Sequence, residues 1–169
     1  MLTATQSTKD WITNFVIHHN LCPFAARPML RDTVRFVECE ETDFDALIRH
    51  FLQESLYLTE VPAAKVMTTL LIYPKALEEF EEFLDFKVAV EEISEEAGLH
   101  AMIQLAHFHP DYQFAEVPAD DPANATNRSP FPVLQLLRVD EMSKAIDAYP
   151  DVENIPERNI ELLRKLARK

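Results

Sequence analysis

The sequence predicts an α/β fold of the mixed α+β kind, with a mixed sheet of about four strands packed by about five helices. Three observations lead there. Short β-branched or continuously apolar runs alternate with longer segments of helical apolar period, as in strands joined through helices. Such connections make right-handed crossovers between parallel strands, so the first three strands should run the same way. The fourth follows a long proline-rich crossing and is free to run the other way, at an edge or beside a neighbour. A ferredoxin-like two-layer sandwich is the alternative arrangement. At 169 residues and 47% hydrophobic content, the chain has the size of one domain with a real core, so residues 1–169 are read as a single globular domain.

The elements follow in order. Ser7 to Asn20 has Trp11, Ile12, Phe15, Val16 and His19 on one helical face, with Ser7 and Asp10 at capping-box spacing, and must end before Pro23. "DTVRFVEC" (Asp32 to Cys39) is β-branched and short, a strand. Asp43 to Leu58 is a helix with Phe44, Leu47, Ile48, Phe51 and Leu52 facing inward. "VMTTLLIYP" (Val66 to Pro74) is almost wholly apolar, as expected of a strand covered on both faces. Ala76 to Ala97 is a long helix, with Leu77, Phe80, Leu84 and Val88 at helical spacing and Gly98 placed to end it. "AMIQLAHF" (Ala101 to Phe108) is the third strand, and "VLQLLRV" after Pro132 the fourth, unless it opens a helix. Asp140 to Tyr149 and Asn154 to Ala167 complete the helices.

Composition excludes several functions. A net charge of −13 repels phosphate backbones and anionic lipid, so neither nucleic acid nor a membrane is an expected partner. No stretch approaches the roughly 20 apolar residues of a membrane span, and the polar start lacks a signal-peptide pattern; a cytoplasmic location is expected. One glycine excludes the glycine-rich loops that cradle phosphates, so no nucleotide cofactor is expected. Cys22 and Cys39 are too few for a disulfide framework.

The chemistry concentrates in the crossing at about 108–132. Loops beyond about 12–15 residues are uncommon and usually functional or disordered, and four aromatic residues with five of the eleven prolines argue for an ordered, shaped segment. At its start His107, His109 and Asp111 stand at i, i+2 and i+4. If the strand continues that far they project together, as ligands for a divalent zinc, iron or manganese ion or as a base with its orienting acid. The plainer alternative is that His107 extends the apolar Ile103 and Leu105 face and that Pro110 turns the chain first. In "DDPANATNRSPFP" (Asp120 to Pro132), Asp121, Asn124 and Asn127 either cap turns or contact a ligand. Arg128 is either a bidentate anion clamp or an internal salt-bridge partner of Asp120 or Asp121. Cys22, in "NLCPFA" just past the first helix, is a nucleophile or extra ligand if something activates it, and otherwise a small apolar residue.

Taken together, "NLCPFA", "TTLLIYP", "LAHFHPDYQF" and "DDPANATNRSPFPVLQLLR" resemble a bacterial family known as domain of unknown function 1415, over nearly the whole chain. Cys22, His107, His109, Asp111, Asp121, Asn124, Asn127 and Arg128 match its motif positions, whereas Phe131 and Gln135 depart from its usual tyrosine and histidine. The resemblance implies no particular activity. The expected function is a small-molecule enzyme for hydrolysis or group transfer on a small polar or anionic metabolite, metal-assisted if the two histidines hold an ion. His107, His109, Asp111 and Cys22 would be catalytic, with Arg128, Asn124, Asn127 and Asp121 binding substrate. The alternative is a non-catalytic ligand sensor or interaction module whose loop is a structural clasp.

Overall fold

The computed structural model describes residues 1–169. Its sheet contains β1 (Val34–Glu38), β2 (Thr68–Ile72), β3 (Ile103–Phe108) and β4 (Val133–Arg138) in the order β1-β2-β4-β3. β1 and β2 are parallel, and β4 is antiparallel to both β2 and β3, so the first three strands share one direction. The mixed fold is therefore as expected. The late strand lies inside the sheet, and β1 and β3 form its edges.

The helices are α1 (Ala4–Trp11), α2 (Ala26–Leu30), α3 (Phe44–Glu60), α4 (Phe80–Glu96), α5 (Val139–Ala148) and α6 (Ile155–Leu166). All five residues of β2 are buried, and alternate side chains divide between two faces. Leu71 and Tyr73 join Leu134, Leu136 and Ile103 against Leu47, Phe51 and Leu58 of α3 and Phe83, Phe86 and Val90 of α4. On the other face Leu70, Ile72 and Val133 pack with Ala4 and Ile12, flanked by Trp11, Phe108 and Phe131. Because helices cover both faces and β1 lies parallel beside β2, the ferredoxin-like alternative does not form.

Local differences from the sequence reading have local causes. Thr3, and not Ser7, caps α1 by accepting the Gln6 N–H, and the helix widens into a π-helical segment at Ile12–Ile17. Asn20, at φ 52°, then turns the chain before Pro23. Asp43 caps α3 by accepting the Ala46 N–H, the role an aspartate favours just before a helix. α4 starts at Phe80 because Leu77 is left-handed at φ 61° and buried in the core. The buried stripe is then Phe83, Phe86, Val90 and Ser94, and Val88 turns outward at 49% exposure. Gly98, at φ 72°, ends α4 as expected. α2, five residues long, is too short to show an apolar period.

Candidate functional site at the end of strand β3

β3 is an edge strand, and the long crossing closes part of its open side. Asn127 Nδ2 donates to the His107 carbonyl at 3.1 Å, and the Asn127 carbonyl accepts the His109 N–H at 3.1 Å. One loop residue thus bonds the strand end as a neighbouring strand would, leaving less free edge for another chain to pair with.

His109 is fully buried, tilted between Phe80 and Phe83 with ring centroids 5.2 Å from each. Its Nδ1 accepts the Asp111 N–H at 3.0 Å, which requires the proton on Nε2, and Nε2–H donates to the Leu77 carbonyl at 2.9 Å. Both ring nitrogens are engaged with the backbone, and no lone pair remains for a metal. The strand stops at Phe108, and a turn in which Tyr112 N–H bonds the His109 carbonyl leaves Asp111 exposed beyond it. The three-residue alignment expected from the i, i+2, i+4 spacing does not form.

His107 is different. It is half-buried on the α4 side, its ring 6.4 Å from that of Phe83, and Nε2 lies 3.3 Å from the Tyr112 hydroxyl. Its Nδ1 has no protein partner and is not among the fully enclosed polar atoms. Burial pushes the imidazole below its ordinary value and Lys87 pushes the same way, while Glu91 opposes them. Lys87 and Glu91 pair at 3.3 Å on α4. Burial raises the Tyr112 phenol, partly offset by the Asn127 amide, so it keeps its proton at neutral pH.

The remaining loop residues bond mainly to protein. Asn124 is fully buried, accepting the Phe114 N–H at 2.9 Å and donating to the Pro118 carbonyl at 2.8 Å. Arg128 donates from Nε to the Tyr112 carbonyl at 3.0 Å and from its Nη2 to the Ala119 carbonyl at 2.7 Å; of the two alternatives read from the sequence, the salt bridge to Asp120 or Asp121 does not form. Asp121 caps the 3-10 turn Pro122–Asn127 through Ala123 and pairs with Arg164 of α6 at 2.7 Å, which holds its carboxyl below the ordinary value. The crossing is ordered by its own side chains and by α6.

Cys22 lies in the bend between the π-helical segment and α2. Its neighbour Leu21 packs with Val16 and Leu163, and the bend is tied to α6 through Asn159 and Arg158, whose side chains donate to the Leu21 and Asn20 carbonyls at 2.8 and 2.9 Å. The residue as a whole is exposed, yet protein atoms crowd the sulfur enough for desolvation to raise the thiol, with the amides of Phe24 and Ala25 offsetting part of this. No hydrogen bond and no shared apolar cluster links this bend to His107 or His109.

The divalent metal is a correction. No group of three or more His, Cys, Asp or Glu side chains converges well enough to hold an ion, and His109 has no nitrogen to offer, so His107 and His109 do not form a metal site. Tyr112 and Lys87 flank the surviving imidazole and were not singled out from the sequence. Tyr112 lies within the histidine motif but reads there as a packing aromatic, and Lys87 becomes a neighbour only through the pairing of α4 with β3.

Residues 3–169 match the family described as "Protein of unknown function (DUF1415)". The chain belongs to that family. The match covers the bend at Cys22, the sheet and the whole crossing, so the four motifs quoted above fall on that bend, on β2, on β3 with the start of the crossing, and on the crossing with β4. No curated protein and no solved structure matches the chain. No helix is long and apolar enough to cross a membrane.

Proposed function

We propose that this DUF1415 chain is an enzyme acting on a small polar molecule by hydrolysis or group transfer, with His107 as its general base. The observation that carries the reading is the state of the two motif histidines: His109 has both nitrogens bonded to backbone, whereas His107 retains a partner-free, unenclosed Nδ1. A lowered imidazole value keeps His107 neutral at pH 7. With the proton on Nε2 directed at the Tyr112 oxygen, the Nδ1 lone pair takes a proton from an attacking water or substrate hydroxyl, and the hydrogen bond to Tyr112 orients the imidazolium that forms. Asn127 fixes both partners, through the His107 carbonyl and beside the phenol, and Lys87 offers a cation to an anionic substituent when it leaves Glu91. Cys22 and His109 fall outside this reading.

A second reading has its own support. Asn124, Asn127, Arg128 and Asp121 all bond within the fold, which favours the crossing as a clasp in a non-catalytic module. A metabolite library screened by ring-resonance shifts of His107, followed by turnover assays on the hits, separates the two. The enzyme reading expects hits that shift His107, turnover lost in His107→Gln and reduced in Tyr112→Phe. A library that leaves the His107 ring untouched, with both substitutions altering only the melting temperature, leaves the clasp.

A further inference from the structure

α5 follows directly from β4, at the end of β3 opposite His107, where Ile103 pairs with Arg138. Its apolar residues Val139, Met142 and Ile146 recur at i, i+3 and i+7 and so share one face. None of the helix's residues is buried, and none joins any of the three apolar clusters of the molecule. Ile146 is 40% exposed and Met102, whose carbonyl accepts the Val139 N–H, is 50% exposed. Beside the start of the helix, Leu58, Met102, Ile103 and Asp140 help to line a cleft of about 310 Å³. Acids outnumber cations around it: Asp140, Asp147, Asp151 and Glu153 are exposed, Lys144 is bonded to Glu141 at 3.0 Å, Arg158 reaches the Tyr149 hydroxyl and the Asn20 carbonyl, and Arg138, which also lines the cleft, is turned onto the Val61 and Val66 carbonyls.

We propose that the apolar face of α5 and the adjoining cleft dock a basic amphipathic helix of a partner protein. Charge chooses the occupant. A second copy of this chain would bring the same acidic rim and another net charge of −13, which opposes association. A helix with lysine or arginine around an apolar stripe matches both the rim and the face, and methionines at its centre adapt to varied side chains. The long-range field of the acidic surface speeds encounter with such a segment.

The test uses the full chain and a synthetic leucine–lysine amphipathic helix, titrated calorimetrically at about 0.15 M salt. Saturable one-to-one binding is expected, weakened about tenfold or more in the Ile146→Asp, Met102→Asp double variant because the apolar anchors are lost. Both positions are exposed, and an unchanged melting curve confirms that the variant is folded. Adding two acidic charges strengthens mere electrostatic adsorption, so equal or tighter binding by the variant overturns the proposal. Absence of binding overturns it too, as does a self-dimer in sedimentation that Ile146→Asp dissociates.

Discussion

His107 and His109 are two residues apart and approach the same helix, yet their chemistry diverges because one is followed by a turn. His109 N–H reaches Asn127, its ring reaches the Leu77 carbonyl, and the Asp111 amide closes on its other nitrogen. Sequence shows two imidazoles at strand spacing and has no means of showing that a left-handed Leu77, distant along the chain, aims a carbonyl at one of them. This is why the metal expectation fails although both imidazoles lie beside Phe83 of α4. Replacing His109 with Phe keeps the aromatic packing but leaves the buried Leu77 carbonyl without its donor, at a cost of about 1–3 kcal/mol, readable from denaturant midpoints; a smaller loss in His109→Gln, which restores a donor, identifies the bond as the cause. His107 gives a pH prediction. Its folded value lies below the ordinary imidazole value, so between the two the unfolded chain binds more protons than the folded one. Its contribution to stability is present above the unfolded value, about 6.5, and is lost as pH falls through the lower folded value. Carbon-detected titration of the ring should therefore show a depressed midpoint, and His107→Gln should flatten that part of the stability profile. A midpoint at or above the ordinary value contradicts the burial argument.

Elements were legible where a periodic pattern was long or a run fully apolar. Leu47 and Phe51 of the α3 stripe, the wholly buried β2 and the Gly98 stop appear as read, whereas Phe44, expected to face inward, is 43% exposed. The phase of α4 was not legible, since Leu77 looks like the first residue of an apolar stripe and is in fact a core residue outside the helix. Strand order was not legible either, because it depends on which neighbour each strand meets after the crossing. Arg138 shows what secures that order. Its guanidinium donates to the Val61 carbonyl at 2.6 Å and to the Val66 carbonyl at 2.8 and 3.1 Å, joining the end of β4 to the link between α3 and β2. Met at this position keeps the apolar stem and removes every donor, so Arg138→Met should cost about 1.5–3 kcal/mol, the range for hydrogen bonds to a charged group. Chemical denaturation measures it, and a change within about 0.5 kcal/mol would show that solvent already satisfies those carbonyls.

At the scale of the whole molecule, the last strand to appear in the chain completes the middle of the sheet. β2 and β3 are not hydrogen-bonded to each other, and β4 bridges them, pairing with both over Val133 to Leu137. Leu134 and Leu136 are fully buried against α3 and α4, and Val133 is fully buried on the opposite face. Both cores therefore depend on β4, and so does the closing of the crossing that positions His107. Amides bonded at the centre of β2 and β4 should exchange with solvent only through global unfolding. α5 is at the other extreme, for its amides sit on a helix that shares no apolar cluster with the rest, so it can open while the sheet stays closed. Native-state hydrogen exchange in rising denaturant should place α5 among the first segments to exchange, with β2 and β4 converging on the global free energy. α5 amides as slow as those of β4 would mean that the helix is held by packing its partly exposed face does not reveal, and the detachment of that face from the core would have to be abandoned.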